Sequence, residues 1–349
     1  MLDLYPGDTM RARRTTMTTS AAALGLVLVL AACGDPGSSS GSGTTSAATP
    51  TASSNLETCD PVPGDTFVGL EDDKTLQNPD NIIPAVNAAA AGEDAEILTV
   101  LDTVSAVLDT PALVDLNKAV DVDRQTSQQA AADFVAANDL GSPEQVGEGR
   151  SVIVGAPNFS EGQTLANLYV EVLEAAGYEA QTQDIGNREL YLTDLESGAI
   201  TVVPEYVSTL TEFLNAKVNG ENPDPVATTD LDATVEGLTG LGEEVGLVFG
   251  TPADAQDQNA FAVTTAFSEE YGVTTLTELA TTCGDVVLGG PPECPERAFC
   301  QLGLEETYGL EVGEFVSLDA GGNLTKDALR QGTITVGLIL SSDPSLATD

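Results

Sequence analysis

The sequence predicts an α/β protein with mainly parallel sheets. Two stretches alternate short apolar strands with helices, one beginning at Ser151 and the other near Gln258. This order is typical of parallel sheets whose faces are covered by helices. The chain has 349 residues, of which 42% are hydrophobic, so it is long enough to form one or two compact cores.

The beginning of the chain has the layout of an export signal. Arg11, Arg13 and Arg14 precede an apolar run at residues 21–30, and small residues then lead to Cys33 in the sequence LAAC. The run is shorter than the roughly 20 apolar residues that a transmembrane helix needs. LAAC resembles a bacterial lipobox, in which the cysteine carries lipid; an ordinary signal with an incidental cysteine is the alternative.

Residues 34–63 are mostly Gly, Ser, Thr, Ala and Pro. Such a segment cannot bury a core, so we expect a flexible tether. A tether behind a lipidated Cys33 predicts an extracytoplasmic protein anchored to the outer face of the cell membrane.

The composition excludes several kinds of function. The formal net charge is −43, whereas proteins that bind nucleic acid need Lys and Arg to neutralise phosphates. The chain contains no His, which removes catalytic arrangements and metal sites based on imidazole. We expect no cofactor and no metal site.

Four cysteines follow Cys33 along the chain: Cys59, Cys283, Cys294 and Cys300. In an exported protein they indicate two disulfides. The short spacing in CPERAFC favours Cys294–Cys300, which leaves Cys59–Cys283, but four cysteines allow three connectivities and the sequence does not choose among them.

The first alternation supplies three strands and two helices. SVIVGA, EAQTQDIG and ITVVPEY read as strands, and the segments between them carry apolar residues at helical spacing. Ligands of such sheets bind at the carboxyl ends of the strands. That rule indicates Asn158, Phe159, Glu205 and Tyr206.

The second alternation and the block before Ser151 complete the elements. QNAFAVTT, DVVLGGPPE, GEFVSLDAGG and TITVGLILSSD read as strands, with helices in TTLTELATTC and NLTKDALRQG. Residues 64–140 contain a strand pair and then amphipathic helices. By themselves these helices have no sheet to cover, so they are predicted to pack on the sheets that come later.

Several motifs carry a resemblance to a known family. VGAPNFSEGQTLANLYVEVLEAAGYE, with an Asn-Phe-Ser-Glu turn where the family usually has Asn-Phe-Thr-Glu, and LESGAITVVPEYVSTL, with its Pro-Glu-Tyr, resemble the osmoprotectant-binding proteins of ABC importers, which bind glycine betaine, carnitine or choline. GGPPECPERAFCQLGLEETYGL and LDAGGNLTKDALRQGTITVGLILSSDP continue the resemblance. It implies a type II periplasmic-binding-protein-like fold, with two lobes joined by two hinge strands.

The order of the motifs departs from the family. The segments that resemble its closing strands and helices, FVGLEDDK, NIIP and NKAVDVD, stand before the segments that resemble its opening. The expectation is a circular permutant, in which residues 141–150 join the ancestral end to the ancestral beginning. A gene rearrangement that left one lobe partial is the alternative.

These inferences divide the chain into five parts. The predicted parts are a signal peptide with a lipobox (1–33), a flexible tether (34–63), lobe 1 (82–140 with 151–256), lobe 2 (257–349 with 64–81) and a linker (141–150).

The resemblance implies a ligand site in the cleft between the lobes. Tyr206 matches a tyrosine of the family's aromatic cage, and Arg297 matches an arginine that grips the ligand carboxylate. Asn259 stands where the family often has a second cage tyrosine, two residues after Asp257. The predicted ligand contacts are Asn158, Phe159, Glu205, Tyr206, Asp257, Gln258, Asn259, Arg297, Ser341 and Ser342.

A reduced aromatic cage leaves two ways to hold a ligand. Either Asp257 and Glu205 compensate by charge, or the ligand is more polar than betaine and is read by Gln258 and Asn259 through hydrogen bonds. Packing or capping roles are the alternative for Tyr206, Asn259 and Arg297, and Phe159 has the alternative of a core position beside the cleft.

The predicted function is that of a solute-binding lipoprotein of an ABC importer, and not of an enzyme. Its expected partners are a small zwitterionic or polar solute and the permease subunits in the membrane, and we expect a monomer that does not bind nucleic acid. One alternative is a solute sensor without transport. Another is a surface hydrolase that uses carboxylates such as Glu161 and Glu205.

Overall fold

The structure is a computed structural model that describes residues 56–141, 145–220 and 223–346. The predicted signal peptide, Cys33 and most of the predicted tether lie outside the described residues. The strands are β1 (Glu57–Thr58), β2 (Phe67–Leu70), β3 (Ile82–Asn87), β4 (Ser151–Pro157), β5 (Glu179–Gly186), β6 (Val202–Tyr206), β7 (Leu247–Phe249), β8 (Asn259–Thr264), β9 (Cys283–Gly284), β10 (Val286–Gly290), β11 (Val312–Ser317) and β12 (Val336–Leu340). The helices are α1 (Ala88–Glu93), α2 (Glu96–Ser105), α3 (Thr110–Asp121), α4 (Ser127–Ala137), α5 (Ser160–Ala175), α6 (Arg188–Ser197), α7 (Val207–Asn219), α8 (Leu231–Val245), α9 (Thr265–Tyr271), α10 (Leu276–Thr282), α11 (Gln301–Gly303) and α12 (Asn323–Gln331).

Two five-stranded sheets form two lobes. Lobe 1 contains the sheet β5-β4-β6-β3-β7, and lobe 2 contains the sheet β11-β10-β12-β8-β2. In each sheet the first three strands are parallel, and the fourth, β3 or β8, is antiparallel to both of its neighbours. The two lobes therefore repeat one strand order, and the fold is the two-lobe, type II α/β fold that the sequence predicted.

The inner strands β3 and β6 of lobe 1 are buried because helices cover the sheet on both faces, whereas the edge strand β5 is largely exposed. All six residues of β3 and all five of β6 are buried. The helices before Ser151 belong to this core: Leu101 of α2, Leu113 of α3 and Val135 of α4 are buried in the same cluster as Val154 of β4. The prediction that these early helices pack against later elements is confirmed.

The second alternation forms the sheet of lobe 2. β2 and β12 both pair with β8, so Phe67–Leu70 and Val336–Leu340 lie in one sheet, in the lobe where the sequence placed them. The side chain of Leu346 lies against Gly69. The turn after β12 therefore ends beside β2.

Two chain segments, the hinge segments, connect the lobes. Residues 71–81 run from the edge strand β2 of lobe 2 into β3 of lobe 1, and residues 250–258 run from the edge strand β7 of lobe 1 into β8 of lobe 2. They cross side by side, with an antiparallel bridge between Asn81 and Gln256. Each lobe is thus entered through its antiparallel strand.

The end of the predicted tether is attached to lobe 2. β1 pairs in parallel with β9, and Cys59 forms a disulfide with Cys283. The assignment of residues 56–63 to a flexible tether is therefore wrong, because strand pairing and a covalent bond hold this segment on the lobe. The second disulfide joins Cys294 and Cys300, so the connectivity is the one that the short spacing favoured.

Within the described ranges, no single helix has the length and apolar character needed to cross a membrane. The pair α2 and α3 reaches the length and composition together, with a bend of 86° between them.

Candidate functional site

A cavity of about 810 Å³ lies between the lobes. Lobe 1 lines it with the ends of β4 and β6 and with α6 and α7, and lobe 2 lines it with the start of β8 and with the disulfide loop around Arg297. Its aromatic residues are Phe159, Tyr191, Tyr206, Phe213 and Phe299. Its charged residues are Asp80, Arg188, Glu189, Glu205, Glu212, Lys217, Asp257, Glu293, Glu296, Arg297 and Glu306. The cavity therefore combines apolar surface with many charged side chains, and this combination suits the binding of a small charged solute.

Glu205 and Arg188 form a buried ion pair, which we call the wall pair. Nε and Nη2 of Arg188 lie 2.9 and 2.5 Å from the two carboxylate oxygens of Glu205. The same carboxylate accepts from the Tyr191 hydroxyl at 2.5 Å and from the Tyr206 backbone N–H at 3.2 Å. Glu205 is 1% exposed and Arg188 is 8% exposed. The charge of Glu205 is thus matched within the protein.

This pairing argues against the alternative in which Glu205 compensates a ligand cation. The carboxylate has an arginine on both oxygens and two further donors. Although burial opposes the charged form, the Glu205 carboxylate next to Arg188 raises the pKa of the guanidinium. An anion already neutralised in this way offers little attraction to a second cation.

Glu161 is the centre of a second network, which connects the lobes. Its Oε1 accepts from the Tyr206 hydroxyl at 2.6 Å, and its Oε2 accepts from Asn117 Nδ2 and Ser342 Oγ, both at 2.6 Å. Ser342 follows β12 of lobe 2, and the other three residues belong to lobe 1. The Tyr206 hydroxyl therefore points at Glu161 in this structure.

Asp80 and Asp257 lie at the hinge, and we call them the hinge aspartates. Each is 4% exposed. Asp80 Oδ1 accepts from the backbone N–H groups of Ser208 and Thr209, at 2.7 and 3.1 Å, in the first turn of α7. A carboxylate is favoured there because the first amides of a helix have no partner within the helix.

Asp257 is bonded in a similar way on the lobe 2 side. Its Oδ1 accepts from the Ser342 backbone N–H at 2.9 Å and from Ser341 Oγ at 3.1 Å. Burial raises the pKa of Asp80 to about 7. Burial, and then the nearby Glu161, raise the pKa of Asp257 well above its ordinary value.

Arg297 lies on the lobe 2 side and bridges the cleft. Its Nη2 is 2.7 Å from Glu189 Oε1 of α6, and Asn187 next to α6 donates to Glu293 at 3.3 Å. The guanidinium groups of Arg297 and Arg188 both stack near the Phe213 ring, 5.7 and 5.8 Å from its centroid. Burial and the charge of Arg188 lower the pKa of Arg297.

Most of the predicted ligand contacts meet at this cavity. Eight residues line it: Asn158, Phe159, Glu205, Tyr206, Asp257, Gln258, Asn259 and Arg297. The Phe159 and Tyr206 rings are 6.3 Å apart. Ser342 lines a smaller cavity of about 220 Å³ next to α12, and Ser341 supports Asp257 by a hydrogen bond.

The amides predicted to read a polar ligand have intramolecular partners. Gln258 Nε2 donates to the Asn78 carbonyl at 3.0 Å, and Asn259 Nδ2 donates to the Phe299 carbonyl at 2.9 Å. The two amides thus bind hinge and loop backbone at the cavity edge.

Sequence reasoning missed Asp80, Arg188 and Phe213. Asp80 belongs to the hinge segment QNPDNIIP, Arg188 begins α6, and Phe213 lies on α7, a helix that the sequence analysis did not single out. The composition could have indicated Arg188. In a chain with 12 basic residues and 55 acidic ones, an isolated arginine indicates a specific acidic partner.

Comparisons with known proteins show what the chain is similar to. A family model described as the substrate-binding domain of the ABC-type glycine betaine transport system matches residues 62–137 and 150–348. A solved glycine betaine/carnitine/choline ABC transporter structure is 20% identical, covering 57% of this chain and 70% of that one with a TM-score of 0.37. Apo YehZ from Escherichia coli is 24% identical, covering 56% of this chain and 72% of that one with a TM-score of 0.38.

Proposed function

The chain belongs to the family of substrate-binding domains of ABC-type glycine betaine transport systems, and we propose that it delivers a small osmolyte to an ABC permease. The solute is glycine betaine, choline, carnitine or another polar zwitterion. The observation that carries the proposal is the charged and aromatic cavity of about 810 Å³ between two lobes that are joined by two hinge segments.

The solute is held by closure of the lobes about the hinge. The Arg297–Glu189 ion pair and the Asn187–Glu293 hydrogen bond both cross the cleft at the cavity. Such contacts form when the lobes approach and are lost when they separate. They therefore support a closed arrangement in which the solute is sequestered.

The hydrogen bonding of Glu161 and Glu205 argues against the surface hydrolase that the sequence analysis based on these two carboxylates. Glu161 accepts from Tyr206, Asn117 and Ser342, and Glu205 is the anion of the wall pair. A general base or nucleophile needs an unshared oxygen that reaches the substrate. A binding role uses the cavity without that requirement.

The cellular setting is part of the proposal. Members of this family act outside the cytoplasm with the permease of an ABC importer. We infer that Cys33 is lipidated, that the chain is anchored to the outer face of the membrane, and that it acts as a monomer. Mass spectrometry of the intact protein from membranes tests the anchor, because diacylglycerol on Cys33 adds a defined mass that a Cys33→Ser variant lacks.

The order of the family segments is also inferred to be permuted. In support, the matched regions are two separate segments, and β2 lies two strands from β12 with Leu346 against Gly69. A gene in which residues 151–349 are followed by a short Gly-Ser linker and residues 56–140, so that Cys59 is kept for Cys283, should encode a protein with the same circular dichroism spectrum and solute affinity. Loss of both would contradict the permutation.

The experiment that tests the function is identification of the bound solute. Protein purified from a host grown with an osmolyte mixture is denatured, and the released small molecules are identified by mass spectrometry. A solute that binds the native state alone must also raise the Tm. If no osmolyte or amino acid in a broad panel co-purified or raised the Tm, the proposed function would be wrong.

Arg297 gives a sharper test of how the solute is held. Arg297→Ala should weaken the binding of glycine betaine, which has a carboxylate, by at least about tenfold. The reason is that a charge-assisted hydrogen bond contributes on the order of 1.5–3 kcal/mol. Choline lacks the carboxylate and should lose much less. Equal losses for both solutes would assign Arg297 to closure of the lobes alone.

A further inference from the structure

The cavity between the lobes is elongated, because it follows one face of α7. The helix begins directly after Tyr206. Five of its residues line the cavity: Thr209, Glu212, Phe213, Ala216 and Lys217. Their spacing (i, i+3, i+4, i+7 and i+8) places them on one side of the helix. From the first of them to the last, the helix rises roughly 12 Å at about 1.5 Å per residue. The cavity therefore continues well beyond the Tyr206 ring.

The outer half of this face carries an apolar surface. It consists of Phe213 and Ala216 of α7 and of Pro223 and Pro225 in the segment that follows the helix, and we call these four residues the shelf. Ala216 and Pro225 are exposed, whereas Phe213 and Pro223 are half-buried. None of the four side chains carries a charge or a hydrogen-bonding group. The shelf therefore offers its side chains to an apolar group.

Hydrogen bonds to α7 hold the prolines of the shelf in place. Glu212 Oε1 accepts from the backbone N–H groups of Val226 and Ala227, at 2.7 and 2.6 Å. Asn215 Nδ2 donates to the carbonyl of Asp224, which stands between the two prolines, at 2.9 Å. Each proline also has its own φ angle fixed by its ring. The shelf is thus a pre-formed surface, which needs little ordering when a ligand covers it.

The charged groups beside the shelf are partnered or face solvent. Lys217 Nζ lies 2.5 Å from Glu196 Oε1. The Glu212 carboxylate accepts a third hydrogen bond, from Asn215 Nδ2 at 3.0 Å. On the lobe 2 side, Glu306 lines the cavity as an exposed side chain. These groups keep a partner or water, so they do not require a polar group of the solute at this end.

The volume of the cavity leads to the same conclusion. Cavities of roughly 300–1,000 Å³ hold drug-sized ligands, and this one, at about 810 Å³, is near the upper end of that range. Glycine betaine, choline and carnitine are much smaller. Two contacts already cross the cleft in this structure, the Arg297–Glu189 ion pair and the Asn187–Glu293 hydrogen bond. A small head group therefore leaves the shelf uncovered even when the lobes are in contact.

We propose that the shelf is a subsite for an apolar chain attached to the head of the solute. The head, a betaine-like or choline-like group, lies at the end of the cavity where the Phe159 and Tyr206 rings are neighbours. An acyl chain of about eight carbon atoms, matched to the roughly 12 Å of the α7 face, runs toward Lys217. Contact between chain and shelf removes apolar surface from water, which favours binding. The inference rests on the proposed function and narrows its substrate class to amphiphilic solutes.

Calorimetric titration of matched solutes tests the proposal. Carnitine is compared with octanoylcarnitine, and choline with octanoylcholine, because the members of each pair share the head and differ in the chain. We expect the acyl member to bind about tenfold more tightly or better in each pair, with one solute per chain. Equal or weaker binding of the acyl member would overturn the subsite, and binding of its parent would still support the proposed function. If neither member of either pair bound, the subsite would be wrong, and the broad osmolyte panel would decide the proposed function separately.

A charged variant assigns the preference to the shelf. Ala216→Glu places a carboxylate on the shelf at an exposed position of a helix, where Glu is well tolerated. It should reduce the preference for the acyl member to less than about threefold, because covering the shelf would then desolvate a charge. Ala136→Glu makes the same change in charge at an exposed position of α4, outside the residues that line the cavity, and should keep the full preference. The same preference in both variants would refute the proposal.

The chain without its head separates a subsite from a general surface for fatty acids. Octanoate has the chain and lacks the head that lies at Tyr206, so it should bind at least about tenfold more weakly than octanoylcarnitine. Octanoate binding as tight as that of octanoylcarnitine would show that the chain is recognised by itself, and would contradict a subsite that extends the solute cavity.

Discussion

The wall pair and the hinge aspartates line the same cavity, but their carboxylates have different hydrogen-bonding partners. Glu205 is bonded on both oxygens to Arg188 and accepts from two further groups, whereas Oδ1 of Asp80 and Oδ1 of Asp257 accept from uncharged backbone N–H and hydroxyl groups. Both regions are almost fully buried. Burial alone therefore does not distinguish these carboxylates; what distinguishes them is that Glu205 is bonded to a cationic side chain.

The comparison also explains the electrostatics of the site. Arg188 is bonded to both oxygens of Glu205, and although burial opposes the charged form, this carboxylate raises the pKa of the guanidinium. The hinge aspartates have no such partner, and burial raises the pKa of each.

Removing the cation of the wall pair should have the largest effect. Arg188→Ala leaves Glu205 charged and buried without its partner, which typically costs 3–5 kcal/mol, on the order of a third of a domain's stability. Urea denaturation measures the loss. Arg330→Ala, in an exposed pair with Asp327, should cost less than about 1 kcal/mol. Similar losses in both variants would show that the wall pair is not structural.

The hinge aspartates should instead appear in the pH dependence of stability. A carboxyl group whose folded pKa is raised to about 7 stabilises the fold below its unfolded pKa, near 3.8, and loses that contribution as the pH rises through 7. The solute-free protein should lose up to about 1.4 kcal/mol per pH unit more than Asp80→Asn does across this window. Denaturation at several pH values measures the free energy of unfolding of both proteins. If it changed with pH in the same way in the two, the raised pKa of Asp80 would be contradicted.

Glu161 bonds to Tyr206, the residue after Glu205, and also raises the pKa of Asp257. Neutralising Glu161 should therefore change the pKa of Asp257. Glu161→Gln removes the charge that raises the pKa of Asp257 after burial, so that pKa should fall. The amide also places a donor against Tyr206, Asn117 or Ser342, at a cost of about 1–3 kcal/mol. Carbon-13 NMR titration of the Asp257 carboxyl measures this pKa. If its titration midpoint were the same in the variant, Glu161 would not influence Asp257 as stated.

The smallest effect is expected at Ser341, where the same titration should move in the opposite direction. Ser341→Ala removes one donor from Asp257 Oδ1 and leaves the Ser342 N–H, so the pKa of Asp257 should rise. Ser341 Oγ also accepts from the Gln258 backbone N–H at 2.8 Å, so the free energy of unfolding should fall by about 1–2 kcal/mol, typical of two hydrogen bonds. Ser197→Ala, which removes an exposed hydrogen bond to Asp194, serves as the control. A fall in the Asp257 pKa would contradict the donor role.

The sequence predicted the fold better than the site. Strands such as β4 and helices such as α5 were recognisable because the spacing of their apolar residues forms a pattern within about ten consecutive residues. The strand and helix patterns of lobe 2 were found in the same way. Two features were not: α7 and α8 were not singled out, and residues 56–63 were assigned to the tether although Cys59 binds Cys283.

Several residues that line the cavity were predicted because family motifs contain Tyr206, Asp257 and Arg297. Its electrostatics were not found. Glu205 and Asp257 looked equivalent as acids beside a cleft, and Asp80 lay in a hinge segment with no motif of its own. Their difference depends on Arg188, Ser208 and Ser342, which no local pattern connects to them.

The sequence by itself determined the alternation of strands and helices, the acidic character of the chain and the residues able to reach a cleft. Only the tertiary structure decided which of those residues are already paired. The physical reason is range: periodicity and turn chemistry act between near neighbours, whereas Asp80 meets its helix partner 128 residues away, and Glu161 meets Ser342 across 181. Which groups satisfy a buried charge is settled by those distant contacts.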